Sequence, residues 1–260
     1  MQALSSSTSQ DFRGIRFVLT DMDETLTYRG RLAAATYTAL ERLQSCGIKV
    51  IPVTAAPAGW CDQMARMWPV DGVIAENGGI FLRRGAGAHS VLREYWHATD
   101  AHAEIAKRLQ QIAEVVKASV PEAVLADDQV FRLTSIAFSR AEEPSITRRI
   151  VDALRQSGAD TTVNNLWILG WLGGYDKLSM ARRILAQVYS VDIDIQRDAI
   201  LYAGDSTNDA PMFSFFKHTV GVSTVREYLP DIPVPPAWIT DGPGGRGFVE
   251  VVDAIISAQQ

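Results

Sequence analysis

The run Asp21-Met22-Asp23-Glu24-Thr25-Leu26-Thr27 constrains this chain more than any other stretch. It follows Ile15-Arg16-Phe17-Val18-Leu19-Thr20, a mostly apolar run that reads as a short buried strand. In an open parallel sheet, ligands bind just beyond the carboxyl ends of the strands. Asp21 and Asp23 therefore belong at the mouth of a site. Residues i and i+2 of an extended chain point the same way. Two carboxylates held that close repel, which calls for a cation or a shared proton. The expectation is a hard-cation site with one carboxylate left to act as nucleophile. Taken alone, the same acids could cap a helix or close a turn.

The stretches that follow alternate in period. Leu32, Ala35, Ala39 and Leu43 recur at helical spacing over 31–46, and Gly47 is a stop signal. Residues 48–53 read as a strand ending at Thr54-Ala55-Ala56-Pro57, and a helix is expected over 58–67, with Pro57 placed for its first turn. Strand, helix, strand, helix is the alternation of a parallel α/β sheet. A third strand over 72–75 leads to the turn signal Glu76-Asn77-Gly78-Gly79, with 80–82 pairing back as a hairpin.

The Gly-rich stretch 83–88 reads as a boundary. Beyond it come helices over 99–117 and 144–156, an alternating strand over 130–139, and strands over 161–163 and 166–172. Residues 83–172 are therefore expected to form an inserted α+β domain. After Gly173-Gly174, Asp176 is a good N-cap for a helix over 177–189, and a buried strand over 199–203 runs into Gly204-Asp205-Ser206-Thr207-Asn208-Asp209. Short strands over 219–222 and 238–240 and a closing helix over 248–257 complete a core of 13–82 and 173–260. Residues 1–12, rich in Ser and Thr, read as a disordered arm.

Asp21 with Asp23, Thr54, Lys177, and Asp205 with Asp209 now stand at the ends of apolar elements. A parallel sheet would gather them. Carboxylates, a hydroxyl and one ammonium around a hard cation are the parts phosphoryl transfer needs. An all-oxygen set with few protein ligands suits Mg²⁺, which keeps its waters.

Asp21-x-Asp23-x-Thr25, Thr54, Lys177 and Gly204-Asp205-Ser206-Thr207-Asn208-Asp209 occur in the order of the four motifs of the haloacid dehalogenase superfamily, and the chain resembles its phosphatases. The position of the insertion resembles the subgroup with a large α/β cap between the second and third motifs, which includes Cof-type and sucrose-phosphate phosphatases. The resemblance implies a Rossmann-like parallel-sheet core with a cap domain. It implies Asp21 as nucleophile, Asp23 as general acid and base, and Mg²⁺ held by Asp21, the Asp23 backbone carbonyl and Asp205, with Asp209 in support. It implies that Thr54 and Lys177 bind the phosphoryl oxygens and that Asn208 orients Lys177. Ala55 and, through its Asn-Gly turn, Asn77 are further substrate-binding candidates. Two positions depart from the pattern. Glu24 stands where Gly is usual, and Ala55-Ala56-Pro57 lacks the arginine common after the motif threonine.

The expected function is Mg²⁺-dependent hydrolysis of a small phosphorylated metabolite, with a sugar phosphate as the expected class, through an aspartyl phosphate. A phosphomutase of the same fold is the alternative, followed by a phospho-accepting signalling module. A net charge of −5 offers no basic footprint for nucleic acid. No apolar run is long enough to cross a bilayer, so no membrane partner is expected. Two cysteines without metal-ligand spacing suit thiols in a reducing cytoplasm.

Overall fold

Side-chain alternation along the first long strand sets the architecture. Val18 points to one face, and Phe17 and Leu19 to the other, all buried. A strand buried on both faces belongs inside a parallel sheet covered by helices. The computed structural model describes residues 1–87, 89–164 and 166–259. Ala88, Asn165 and Gln260 fall within the expected domain ranges but lie outside the described residues.

In chain order the strands are β1 (Gln2–Ala3), β2 (Phe17–Thr20), β3 (Thr27–Tyr28), β4 (Arg31–Leu32), β5 (Lys49–Pro52), β6 (Val73–Ala75), β7 (Ile80–Arg84), β8 (Val91–Tyr95), β9 (Ser135–Ser139), β10 (Asp160–Val163), β11 (Trp167–Trp171), β12 (Ile200–Gly204), β13 (His218–Gly221) and β14 (Trp238–Ile239). The helices are α1 (Ser9–Phe12), α2 (Ala34–Ser45), α3 (Ala58–Met67), α4 (His102–Ser119), α5 (Pro144–Gln156), α6 (Lys177–Tyr189), α7 (Ala210–Phe215) and α8 (Gly244–Gln259). The main sheet has the order β1-β14-β13-β12-β2-β5, parallel throughout. Val18, Val50 and Leu201 pack with α2 and α8 through Leu40, Leu43, Phe248 and Val252. Leu19, Ile51 and Tyr202 pack with α6 and α7 through Met180, Ile184 and Phe213. This is the α/β core expected from the alternation.

A third core joins α4 and α5 to the antiparallel sheet β10-β11-β9 through Leu109, Ile112, Val116, Phe138, Leu154 and Ile168. Its residues begin well after the stretch expected as a boundary. Arg84 instead pairs with Val91 as β7 and β8 continue the antiparallel sheet of β6. Gly85 and Gly87 lie in the hairpin connection between β7 and β8.

Three further expectations are corrected. Residues 1–12 are held rather than frayed: β1 pairs with β14, Leu4 and Phe12 are buried, and Gln259 Nε2 donates to the Phe12 carbonyl. Two large apolar side chains supply the burial that a Ser-rich composition hides. The strand over 130–139 shrinks to β9, because residues 127–131 form a 3₁₀ turn and the Leu133 and Thr134 amides donate to the Glu76 carboxylate. The helix over 31–46 loses its first turn to a hairpin of β3 with β4, which projects beside Asp23.

Candidate active site

The sheet register gathers the motifs. Ala203 pairs with Thr20, so Asp21 and Asp205 leave adjacent strands side by side. The Asp21 amide donates to the Ala203 carbonyl at 2.8 Å and the Val53 amide to the Thr20 carbonyl at 2.7 Å, placing Thr54 on the other flank. Asp176 caps α6, its carboxylate accepting the Ser179 amide at 2.6 Å. That cap directs the first side chain of the helix, Lys177, inward, where it is buried.

Lys177 Nζ donates to Asp21 Oδ1 at 3.0 Å and to Asp209 Oδ1 at 2.7 Å. Asp209 also accepts the Tyr202 hydroxyl on Oδ1 and the Asp205 and Ser206 amides on Oδ2. A carboxylate has about four acceptor positions, so Asp209 is fully engaged. A Cβ on Gly204 would lie 2.5 Å from Asp209 Oδ2, so only glycine admits this carboxylate against the strand end. Asp205 contrasts with it. Its Oδ1 accepts the Thr25 hydroxyl at 3.2 Å, while Oδ2 is buried with no hydrogen-bond partner among the described residues.

Oxygens of Asp21, Asp205 and Asp209 lie within 4.8 Å of one another, all buried, against one ammonium. The excess negative charge fixes the electrostatics. Burial drives the Asp21 carboxyl up to about 6, with Lys177 pulling it back and Asp209 pushing it further. Burial, then Asp21 and Asp209, push Asp205 well above the carboxylate range. Burial opposes the charge on Lys177, but Asp209 and Asp21 outweigh it and raise its proton affinity. A hard cation against the unpartnered Asp205 oxygen fits this donor set of oxygens alone. Asp21 and Asp205 could hold it directly. Asp209, both of whose oxygens are engaged, would support it through Lys177 and the Asp205 and Ser206 amides.

Asp23 is half-buried, and burial together with the Asp21 charge lifts its carboxyl to about 7. Two neighbouring carboxyls pushed to different values can divide the tasks of nucleophile and proton carrier. They open on a polar cavity of about 10 Å³ lined by Asp21, Asp23, Ala55, Asp205, Ser206 and Asn208, with Asn164 and Leu166 closing it. That space is about the least that admits one water. It adjoins a wider cavity of about 300 Å³, whose walls include Glu24, Tyr28, Arg29, Glu227 and Tyr228.

The remaining expected residues are placed as follows. Thr54 is fully buried, and its Oγ1 accepts the Ala56 amide at 3.0 Å. Asn208 lines the small cavity but does not orient Lys177: its amide oxygen accepts the Ser206 hydroxyl, and Asp209 and Asp21 hold the ammonium. Asn77 lies behind Thr54, its backbone amide donating to the Thr54 carbonyl at 2.9 Å. Glu24 has φ 57°, a left-handed backbone, which is why glycine suits this position. Its Oε1 accepts the Arg29 amide at 2.8 Å and ties the β3–β4 hairpin to the nucleophile turn.

Sequence reasoning passed over Glu76, Asp128, Arg132 and Tyr202. Glu76 had a signal: it follows the apolar strand Val73-Ile74-Ala75 as Asp21 and Asp205 follow theirs.

No family model and no curated protein matches the chain. Solved structures do. A protein from Thermoplasma acidophilum, 0175, superposes with TM-score 0.72 at 18% identity, over 93% of this chain and 98% of its own. A haloacid dehalogenase-like hydrolase from Bacteroides thetaiotaomicron superposes with TM-score 0.64 at 14% identity, over 93% and 99%. The sucrose-phosphatase from Synechocystis sp. PCC6803, solved with sucrose and phosphate, superposes with TM-score 0.66 at 12% identity, over 94% and 98%. Nearly whole-length superposition, with acids at the ends of adjacent central strands, gives this chain the fold of the haloacid dehalogenase-like hydrolases.

Proposed function

We propose that the chain is a Mg²⁺-dependent phosphoric monoester hydrolase working through a phosphorylated Asp21. One observation carries the reading: a buried aspartate paired with a buried lysine, beside a second aspartate titrating near neutrality, at the wall of a small polar cavity. Lys177 donates to Asp21 Oδ1, leaving the other carboxylate oxygen to attack phosphorus. As the bond to the leaving oxygen breaks, protonated Asp23 supplies that oxygen's proton. Asp23, now ionised, takes a proton from water, whose oxygen attacks the same phosphorus and releases phosphate from Asp21. Thr54 and Lys177 hold phosphoryl oxygens in this reading. Mg²⁺ on Asp21 and Asp205 would neutralise phosphoryl charge as it develops.

The leaving group in this reading lies in the wider cavity. Tyr28 and Tyr228 offer apolar faces there, and Glu24 and Glu227 offer hydroxyl acceptors. That chemistry suits a neutral polyhydroxylated group, and a sugar phosphate is the proposed substrate. The α4, α5 and β10-β11-β9 layer inside the expected 83–172 insertion acts as its cap, and a cytoplasmic location completes the proposal; among the described residues, no helix is long and apolar enough to cross a membrane.

A panel of phosphorylated metabolites with Mg²⁺, read by phosphate release, tests the reading. The expected result is sustained release with sugar monophosphates. An isomerised phosphate ester in place of free phosphate would assign a mutase, and a lasting phosphoryl group on Asp21 without turnover would assign a signalling receiver.

A further inference from the structure

Outside the acid cluster, the molecule holds a second buried set of charged groups that the proposed reaction leaves unused. Arg132, Asp128 and Glu76 are all buried, although Arg132 and Asp128 come from the turn before β9 and Glu76 from the turn after β6. Arg132 Nε and Nη2 make a two-point pair with Asp128 at 3.2 and 3.1 Å, and its guanidinium lies 4.9 Å over the Trp167 ring. Nη1 then reaches back to the Ala55 carbonyl at 3.0 Å. Phe131 is packed so close to α3 that a Cβ on Gly59 would lie 2.9 Å from it.

What Arg132 grips is the peptide joining Ala55 to Ala56. The nitrogen of that peptide, the Ala56 amide, donates to Thr54 Oγ1. An oxygen already accepting there directs its own hydroxyl hydrogen elsewhere. The rest of the loop is tied to Glu76 and Asn77: the Glu76 amide donates to the Ala56 carbonyl, the Asn77 amide to the Thr54 carbonyl, and the Ala58 amide to Glu76 Oε1. The loop itself carries only Ala55, Ala56 and Pro57 and has no charged side chain with which to fix its plane.

We infer that Arg132 is a positioning residue for the phosphoryl site: through the Ala55 carbonyl it sets the 55–56 peptide, and through that peptide the Thr54 hydroxyl and the Ala55 face of the cavity. The inference rests on the phosphatase reading in taking this cavity as the phosphoryl site. Its electrostatic logic is that of a planar fork, which lysine cannot reproduce.

Inorganic phosphate binding to the Mg²⁺-loaded full chain, measured by calorimetry, is the deciding experiment. Two variants are used because removing one partner of a buried pair can unfold a protein. Arg132→Lys keeps the charge and loses the fork. Arg132→Met with Asp128→Met replaces the pair by apolar side chains. In a variant with wild-type circular dichroism, phosphate affinity should fall about tenfold, the scale of one charge-assisted hydrogen bond. On any ester the wild type hydrolyses, kcat and kcat/KM should fall together by ~10–100-fold, with the pH profile unmoved. Wild-type phosphate affinity in a folded variant overturns the inference, as does loss of the fold in both variants, which would assign Arg132 to folding. Absence of phosphate binding by the wild type overturns it as well. A wild type that binds phosphate but hydrolyses no ester instead removes the phosphatase reading and leaves the positioning role standing on the binding data.

Discussion

Two buried polar clusters lie at the ends of strands in this molecule, and they are built on opposite principles. Around Glu76 every charge is answered. Oε1 accepts the Ala58 and Leu133 amides, and Oε2 accepts the Thr134 amide and the Thr134 and Ser135 hydroxyls. Asp128 is paired twice with Arg132. Around Asp21 the balance fails. Among the described residues, three carboxylates face one lysine, an Asp205 oxygen is left unpartnered, and proton affinities rise. A satisfied buried network holds a fold in one arrangement; an unsatisfied one stores unfavourable energy that a ligand can relieve. A buried carboxylate at the end of a strand therefore serves structure at Glu76 and, in the proposed reaction, chemistry at Asp21. The difference lies in how many donors the surrounding chain delivers.

Asp21→Asn breaks the contrast most sharply. Turnover should fall on the order of 10⁴-fold, as when a residue of a catalytic unit is lost. Stability should move the other way. The folded carboxyl titrates at about 6 against 3.8 when unperturbed, so its destabilising effect grows as pH rises through that interval and is complete above it. Near pH 8 without metal, Asn at 21 should raise stability by about 1–3 kcal/mol, read as a higher Tm. A melting point that falls would mean that the cluster stabilises the fold, as its neighbour does. Asp205→Asn should likewise stabilise the metal-free chain and abolish the Tm rise that Mg²⁺ should give the wild type.

Glu76→Ala is the opposite case. Removing the acceptor strands three amides and two hydroxyls, and the cost should be about 3–5 kcal/mol, seen as a lower urea midpoint. Mg²⁺ should still raise the Tm of whatever folds. An unchanged midpoint would show that those donors find water, and the distinction between the clusters would collapse.

The two clusters also differed in how far the sequence disclosed them. Val18-Leu19-Thr20-Asp21 and Tyr202-Ala203-Gly204-Asp205 announce acids at the ends of buried strands, and the sheet register then brings them together. Ile74-Ala75-Glu76 has the same form, yet its role depends on donors from 133–135, nearly sixty residues away, which no local pattern encodes. The same donors leave the alternation over 130–134 and so shorten the expected strand. The choice between Asn208 and Asp209 as the partner of Lys177 turned on side-chain direction within one turn, which spacing does not resolve. The N-terminal segment was hidden by composition, since Leu4 and Phe12 anchor a stretch otherwise polar.

The pH profile sharpens the acid cluster. In the proposed mechanism Asp21 must be ionised to attack and Asp23 protonated to release the leaving group. With folded values of about 6 and about 7, kcat/KM should rise toward pH 6 and fall above pH 7, tenfold per unit on each limb. A bound cation would favour the ionised form of Asp21 and offset the Asp21 charge that helps raise Asp23, so raising Mg²⁺ should move both limbs lower, with burial, the larger cause at Asp23, still holding the alkaline limb up. An alkaline limb that survives Asp23→Asn would assign that proton to another group.

The smallest effect tests the link between the cluster and its hairpin. Glu24 holds a left-handed backbone that costs a non-glycine residue about 1 kcal/mol, and its carboxylate returns part of this through the Arg29 amide. Glu24→Gly relieves the first and forfeits the second, and it also widens the unfolded ensemble. The net change in stability should stay within about 1 kcal/mol. Function should respond more than stability, because the freed β3–β4 hairpin carries Tyr28 and Arg29 at the wall of the wider cavity. KM for a sugar phosphate should rise while KM for a phosphate ester with a small leaving group stays put. Equal effects on both substrates would place the hairpin outside the leaving-group site and return Glu24 to a purely local role in its turn.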